Sequence, residues 1–441
     1  MIRSLTSVAA LLAVLLAAQV RAQVTLPSVR LPQTPVTQLP GALGNLAPGA
    51  TADLAQDLNQ ATPGELHRRR IRDLLRANRR VLEADPNGAP MVRAELLAYS
   101  PTDAALAAAL AAGFTTLRVR TLDALGERVV VLQAPRGMAT AQGLQRLRAL
   151  DPQGSYDFNH LYLESGAMPR AAPPGSADSG GDSGAVGIKV GLIDGGIDLG
   201  HPVFRGVSVH RHGCGGIGVP EAHGTAVASL LIGRGAHFQG VAAGSELYAA
   251  DVYCGLASGG AVDAVAEAFG WLAGSQVAVI NVSLVGPRNV LLERVVRRMI
   301  GRGHLIVAAV GNDGPAAPPL YPAAYPDVIG VTAVDARRRV LTEAERGPQV
   351  KFAAPGADMS AASSPQAFVL VRGTSFAAPI VAGLLAERVQ GLDRDRAGQA
   401  VAELASTAID LGAPGVDPVY GYGLVGAGLG PEPALVRVKA E

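Results

Sequence analysis

The sequence shows almost no net charge: 38 Lys+Arg stand against 37 Asp+Glu over 441 residues, a formal charge of +1. That removes the electrostatic case for nucleic acid as a main partner. Beyond the N-terminus, no run of 18 apolar residues free of charge occurs, so an integral membrane protein is not expected. Cysteine is scarce, with two in the chain. Gly and Pro, at 54 and 30 residues, stay short of a low-complexity composition. Against these absences stand 49% apolar and 17% charged residues, which exclude global disorder. The length suggests two or three domains of roughly 100–200 residues each.

Residues 1–22 read as an export signal. Arg3 is followed by an unbroken apolar run of 11 residues, Val8 to Ala18, and Val20-Arg21-Ala22 offers a small-x-small cleavage site. The run is too short to span a bilayer, though an uncleaved anchor is the alternative. Export, to periplasm or medium, means an oxidising compartment in which Cys214 and Cys254 are expected to pair; two free thiols are the alternative. Pairing would add about 4 kcal/mol by the loop-entropy model.

Residues 23–64 form a Pro-rich leader expected to lack order, and 65–88 a basic amphipathic helix. In ELHRRRIRDLLRANRRVLEAD, Ile71, Leu74, Leu75 and Leu82 recur at helical spacing among seven arginines. Its apolar stripe suits a neighbouring domain; an anionic surface is the other reading. Residues 89–165 alternate as β-α-β-β-α-β, the order of a small ferredoxin-like α+β domain. Residues 166–187 lose periodicity and fill with Gly, Ser, Pro and Ala, an exposed linker. From 188 to 430 near-continuous apolar strands alternate with amphipathic helices. That is the pattern of an α/β domain with a mostly parallel sheet sandwiched by helices. Residues 431–441 are a tail.

In such a sheet, ligands belong at the carboxyl ends of the strands. Asp194 ends the strand IKVGLID, His223 opens HGTAVASLLIG, and Ser375 opens TSFAAPIVAGLLAERV. A hydroxyl becomes a nucleophile when an imidazole takes its proton, and a carboxylate must orient that imidazole and stabilise its cation. Ser375, His223 and Asp194 can fill these roles. A helix N-terminus at Ser375 adds backbone N–H donors for an oxyanion, and Asn312 in HLIVAAVGNDG is a second donor.

Taken together, LIDGGID, HGTAVA, INVSL, VGN, YPAAYPDVIGVTAVD, FAAPG, GTSFAAPIVAG and YGYGLV resemble the subtilisin-like serine peptidases, in the family's order and over about residues 188–425. The resemblance implies an Asp194–His223–Ser375 triad, Asn312 in the oxyanion hole, and endopeptidase chemistry on polypeptides through an acyl-enzyme. It also implies that substrate adds as a strand between Ser258-Gly259-Gly260 and Ser283-Leu284-Val285, with Ala309 and Ala323 near the first specificity pocket. Val285 and Ala323 stand where the family often has glycine. Small or medium apolar residues are therefore expected before the scissile bond. The family commonly carries an inhibitory propeptide of β-α-β-β-α-β order, which residues 89–165 match. The enzyme is then expected to cut itself between Gly166 and Gly187, the propeptide acting as an intramolecular inhibitor.

No cofactor or metal is expected. The Asn-rich calcium loop many relatives insert after the HGT helix is absent between Arg234 and Gln239, which leaves weak structural calcium as a possibility. A monomer is expected, with activity falling below about pH 6.5 as His223 protonates. Other signals are set aside: Gly181-Asp182-Ser183-Gly184 lies in the linker, Gly213 to Gly218 fits GxGxxG but follows no long apolar strand and opens no helix, and His210-His212-Cys214 lacks an evident fourth ligand. The sequon at Asn281 lies on the expected substrate edge. Two other functions stay open: a latent binding or chaperone-like protein, and an esterase using the same triad.

Overall fold

The computed structural model describes residues 62–164, 167–171 (backbone only), 187–235, 238–365, 367–389 and 391–429. The export signal, nearly all of the leader, most of the linker and the tail lie outside the described residues. Among the described residues no helix is long and apolar enough to cross a membrane.

Helix α1 (Pro63–Ala77) starts with a reciprocal capping box between Thr62 and Glu65, with Pro at its first position. It is shorter than the periodicity predicts. Asn78 caps it by donating from Nδ2 to Leu74 O at 3.0 Å. Leu82, expected on the helix stripe, instead begins a strand (Leu82–Ala84) paired with Val92 and buried. Strand pairing there outweighs helical spacing.

The N-terminal domain is a five-stranded antiparallel sheet. Its path runs Leu82–Ala84, Pro90–Tyr99, Glu127–Gln133 and Thr115–Leu122, with Ser155–His160 on the other side of Pro90–Tyr99. Helices α2 (Asp103–Ala111) and α3 (Thr140–Leu150) supply the two helices of the β-α-β-β-α-β order. The run Val129 to Leu132 shows how this sheet is used. Val130 and Leu132 join Leu96, Phe114, Leu144 and Leu147 in the domain's own core. Val129 and Val131, on the opposite face, join Leu97 and Leu122 in a cluster with Phe269, Leu272 and Val295 of the second domain. A strand apolar on both faces is a strand covered on both faces.

Ion pairs rim this contact. Arg118 donates from Nε to Asp263 at 2.7 Å and from Nη2 to Glu95 at 2.6 Å, while Asn159 Nδ2 reaches Asp263 at 2.8 Å. Burial alone would raise Asp263, but Arg118, Asn159 and Arg120 hold it below its ordinary value. Arg118→Ala leaves the buried Asp263 with fewer partners. With a discount for the partial exposure of Arg118, a cost of about 2 kcal/mol is expected, read as a lower urea midpoint of the full-length chain.

The second domain is a seven-stranded, all-parallel sheet in the order Val350–Pro355, Ile329–Val334, Leu305–Ala309, Val279–Val282, Lys189–Asp194, Glu246–Asp251, Val209–His212. Helices α4 (Ala222–Ile232) and α7 (Thr374–Ala386) cover one face, with α8 (Arg394–Ser406) packing behind. Helices α5 (Val262–Gly274) and α6 (Val290–Gly301) cover the other. Alternation along the strands sorts the side chains: Val307 to the α7 side, Ile306 and Ala308 to the α5–α6 side. Chain order reverses around Lys189–Asp194, which opens a crevice at its carboxyl end. Cys214 and Cys254 form a disulfide beside it.

One feature differs from the aperiodic linker expected over 166–187. Ala167–Ala171 is a strand pairing antiparallel with Ala367–Arg372, which itself pairs with Ala357–Ser363. An open hairpin edge recruits backbone whatever its composition.

Candidate active site

Asp194 closes its strand with no exposed surface. Its Oδ1 accepts from its neighbour Gly195 N at 2.7 Å and lies 2.8 Å from His223 Nδ1. His223 stands in the first turn of α4, its side chain 8% exposed. The glycine after it is required by space: a Cβ on Gly224 would strike the carbonyl oxygens of Gly195 and Gly196. That close approach brings the imidazole to the aspartate. Among the described residues, Asp194 Oδ2 and His223 Nε2 are both buried without a hydrogen-bond partner.

Ser375 sits at the start of α7, fully buried. Its hydroxyl is turned to Ser283 O at 3.3 Å, while Ser283 Oγ donates back to Ser375 O at 2.9 Å. The next residue, Phe376, lies against the His223 ring with centroids 5.4 Å apart. Asn312 follows the strand Leu305–Ala309, and its Oδ1 accepts from Thr374 N at 3.1 Å. Its amide also carries an NH₂ donor pair.

The two expected substrate edges have a strand between them, and that strand is the chain itself. Glu164 pairs with Leu284 and Leu163 with Val285, antiparallel. Tyr162 N donates to Gly260 O at 2.8 Å and Leu161 bridges Ala261. Ser258 and Gly259 belong to the turn before this edge, closed by Gly259 N to Leu256 O at 2.9 Å. Sequence periodicity treats 155–165 as one strand. Here it divides at His160, and residues 161–164 leave the sheet as a strap through the crevice. Tyr162 is fully buried, its hydroxyl donating to Pro287 O at 2.6 Å, with Tyr325 Oη 3.3 Å away. Ala323 joins Tyr162 and Leu284 in one buried cluster, whereas the Ala309 side chain packs into the core on the α7 side.

Helix α1 lies over the strap. Leu74 and Leu75 pack with Leu161, Leu163 and Ala261, so the apolar stripe is docked. His67 Nδ1 is 3.0 Å from Asp313 Oδ1, and Arg70 reaches Glu164 O at 3.5 Å. The residues singled out for other chemistry are engaged elsewhere. His210 stacks on Tyr248 and His212 on Trp271, Cys214 is in the disulfide, and Asn281 is buried with its amide on Ser283 Oγ.

A carboxylate–imidazole pair beside a helix-terminal serine, at the crevice of a parallel sheet, coincides with a family match over residues 185–423, to the subtilase family of S8 peptidases. The chain belongs to the subtilase family. Subtilisin Savinase of Lederbergia lenta is 32% identical over 246 residues, covering 55% of this subtilase and 89% of that protein. The minor extracellular protease Epr of Bacillus subtilis is 29% identical over 249 residues, 54% of this chain but 37% of Epr's length. The alkaline protease of Shouchella clausii is 32% identical over 246 residues, 55% of this chain and 63% of that protein. Fervidolysin from Fervidobacterium pennivorans, a keratinolytic enzyme related to subtilisin, shares the fold at a TM-score of 0.62 and 21% identity, over 79% of this chain and 62% of its own.

In this subtilase the strap adds a charge to the site. Side-chain atoms of Glu164, Asp194 and His223 lie within 4.8 Å of one another. Burial by itself would lower His223, but Asp194 and Glu164 outweigh it and raise the imidazole to about 9. The expected loss of activity below pH 6.5 therefore does not describe this strapped form, in which a second carboxylate faces the ring. Sequence reasoning missed Glu164, Glu221, Tyr162 and α1's contact with the strap. Glu221 was visible two residues before His223, but nothing local tells where its carboxylate points.

Proposed function

We propose that the chain is an exported serine endopeptidase made as a self-inhibited precursor, with residues 89–165 as the inhibitory propeptide. The observation that carries this is the strap lying in the crevice as a peptide would, beside the Asp194–His223 pair and Ser375. In the proposed mechanism His223 takes the Ser375 proton and Oγ attacks the peptide carbonyl. The Ser375 amide and Asn312 NH₂ hold the oxyanion, and His223 protonates the leaving amine as the C–N bond breaks. Water then attacks the acyl-enzyme by the same proton route and frees Ser375. Nucleophile, base and oxyanion donors are all protein groups, so the chemistry requires no cofactor. Self-cleavage is proposed in the segment between Gly166 and Gly187, which follows the strap in the chain.

The test is intact mass after fluorophosphonate treatment of the full-length exported protein, beside Ser375→Ala. One adduct together with loss of the N-terminal segment, both missing in the variant, is expected. A folded chain that is neither labelled nor processed would leave the latent binding role in its place.

Self-cleavage carries a pH signature with a definite sign. A base raised to about 9 is a cation at pH 7 and neutral only as pH climbs through 9. The rate of processing of freshly purified precursor is expected to rise by roughly tenfold per pH unit from 7 towards 9. Glu164→Gln, which removes one of the two attracting carboxylates, should shift that rise to lower pH. A flat profile between pH 7 and 9 would contradict the assignment of His223 as base in the strapped form.

A further inference from the structure

Beside His223 stands a carboxyl group that acyl transfer does not use. Glu221 immediately precedes α4 with its backbone pinned: its N donates to Gly196 O at 2.9 Å, and its carbonyl accepts from Thr225 Oγ1 at 2.6 Å. Its carboxylate lies against Gly195, where a Cβ would collide with it. Asp251 closes the other side against Gly196. Its Oδ1 is held by the amides of Tyr253 and Cys254, both at 3.0 Å, while Oδ2 is buried with no hydrogen-bond partner.

The occupant of this place is Glu164 of the strap, whose carboxylate lies within 4.8 Å of Asp194 and His223 and faces Glu221. A carboxyl group set beside other carboxylates in a dehydrated place is harder to ionise. Accordingly burial, then Glu164, Asp251 and Asp194, push Glu221 up to about 8. The charged groups around it are Glu164, Asp194, Asp251 and His223, with Arg70 at the rim on Glu164 O. The strap thus seats an acid on acids.

We propose that Glu221 is a specificity-determining residue: the processed enzyme selects substrates with Lys or Arg at the position Glu164 fills, and Asp251 is the second anionic wall. This rests on the reading of the crevice as the substrate site. A basic side chain would bring its own charge to these carboxylates in a largely dehydrated place, where opposite charges attract more strongly than in water. An acidic occupant is a poor product, suited to leave once cut.

The experiment compares kcat/KM on three peptides that differ only there, Arg, Ala and Glu, using enzyme processed from the full-length chain and counted by fluorophosphonate titration. Arg is expected to exceed Ala by roughly tenfold or more, the low end for close charge pairs, and Glu to fall below Ala. Glu221→Gln should compress the Arg:Ala ratio towards one, a ratio unaffected by how much of the variant folds. Arg no better than Ala in the wild type, or an unchanged ratio in Glu221→Gln, would overturn the assignment. If no peptide is cleaved, the proposed function fails first, and the site is then read without turnover. In the uncut Ser375→Ala chain, Glu164→Arg is expected to slow hydrogen exchange at the Tyr162 amide by about tenfold relative to Glu164→Ala. Equal or faster exchange rejects the basic preference.

Discussion

Ser375→Ala is expected to lower peptide turnover by about 10⁶-fold, the scale of loss when the serine of a related triad enzyme is removed. The structure allows this effect to be separated from folding. Ser375 Oγ makes a single 3.3 Å hydrogen bond, to Ser283 O, so its removal costs about 1 kcal/mol of stability at most. The bond that ties Ser283 Oγ to the Ser375 carbonyl uses backbone and survives. A stable, unprocessed variant whose activity falls by six orders of magnitude is thus the expected result, measured by initial rates and a thermal melt. A variant keeping more than about one part in 10³ of the activity would mean that another group is the nucleophile. Among the described residues His223 Nε2 has no hydrogen-bond partner in the strapped form.

Asn312→Ala is expected to lower kcat by about 10²- to 10³-fold with a smaller effect on KM, because an oxyanion exists in the transition state and not in bound substrate. Alanine has a second consequence: it removes the acceptor for Thr374 N, one residue before Ser375. Asn312→Asp separates the two roles. It keeps an oxygen for Thr374 N but replaces the NH₂ donor by an acceptor bearing charge. Loss of at least the same size in Asn312→Asp, in a variant with unchanged melting behaviour, assigns the effect to the missing donor. Recovery of activity in Asn312→Asp would instead assign it to the lost support of Thr374.

Much of the catalytic domain was legible because its signals are local and redundant. The strands of the parallel sheet, Val307 to one face and Ile306 to the other, must be apolar on both sides, and no short-range pattern imitates that. Asp194, His223 and Ser375 stand at strand ends and helix starts, the junctions where a polar residue is noticed. The β-α-β-β-α-β order upstream was equally visible in period and length. Where the reading went astray, a long-range contact overruled the local pattern. Leu82 left the helical stripe to pair with Val92, and Ala167–Ala171 became a strand because a hairpin edge was open to it.

The strap is the sharpest instance. Ser155 to Glu164 looks like one extended strand because a strand has the same backbone whichever sheet it joins. That it divides at His160, giving its first part to the N-terminal sheet and its last four residues to the crevice, depends on partners 56 to 69 positions away for the first part and 100 or more for the last. The same holds for Glu221 and Glu164. As residue types they are ordinary surface acids, and they come together because a glycine at 195 lets one carboxylate in and the strap delivers the other. The sequence by itself determined the fold family and the types and order of the residues proposed for catalysis, since those are written in periodicity and short motifs. The tertiary structure alone decided what fills the crevice, how α1 covers it and which charges surround His223. Burial and distance set those electrostatics, and neither exists until the chain is folded.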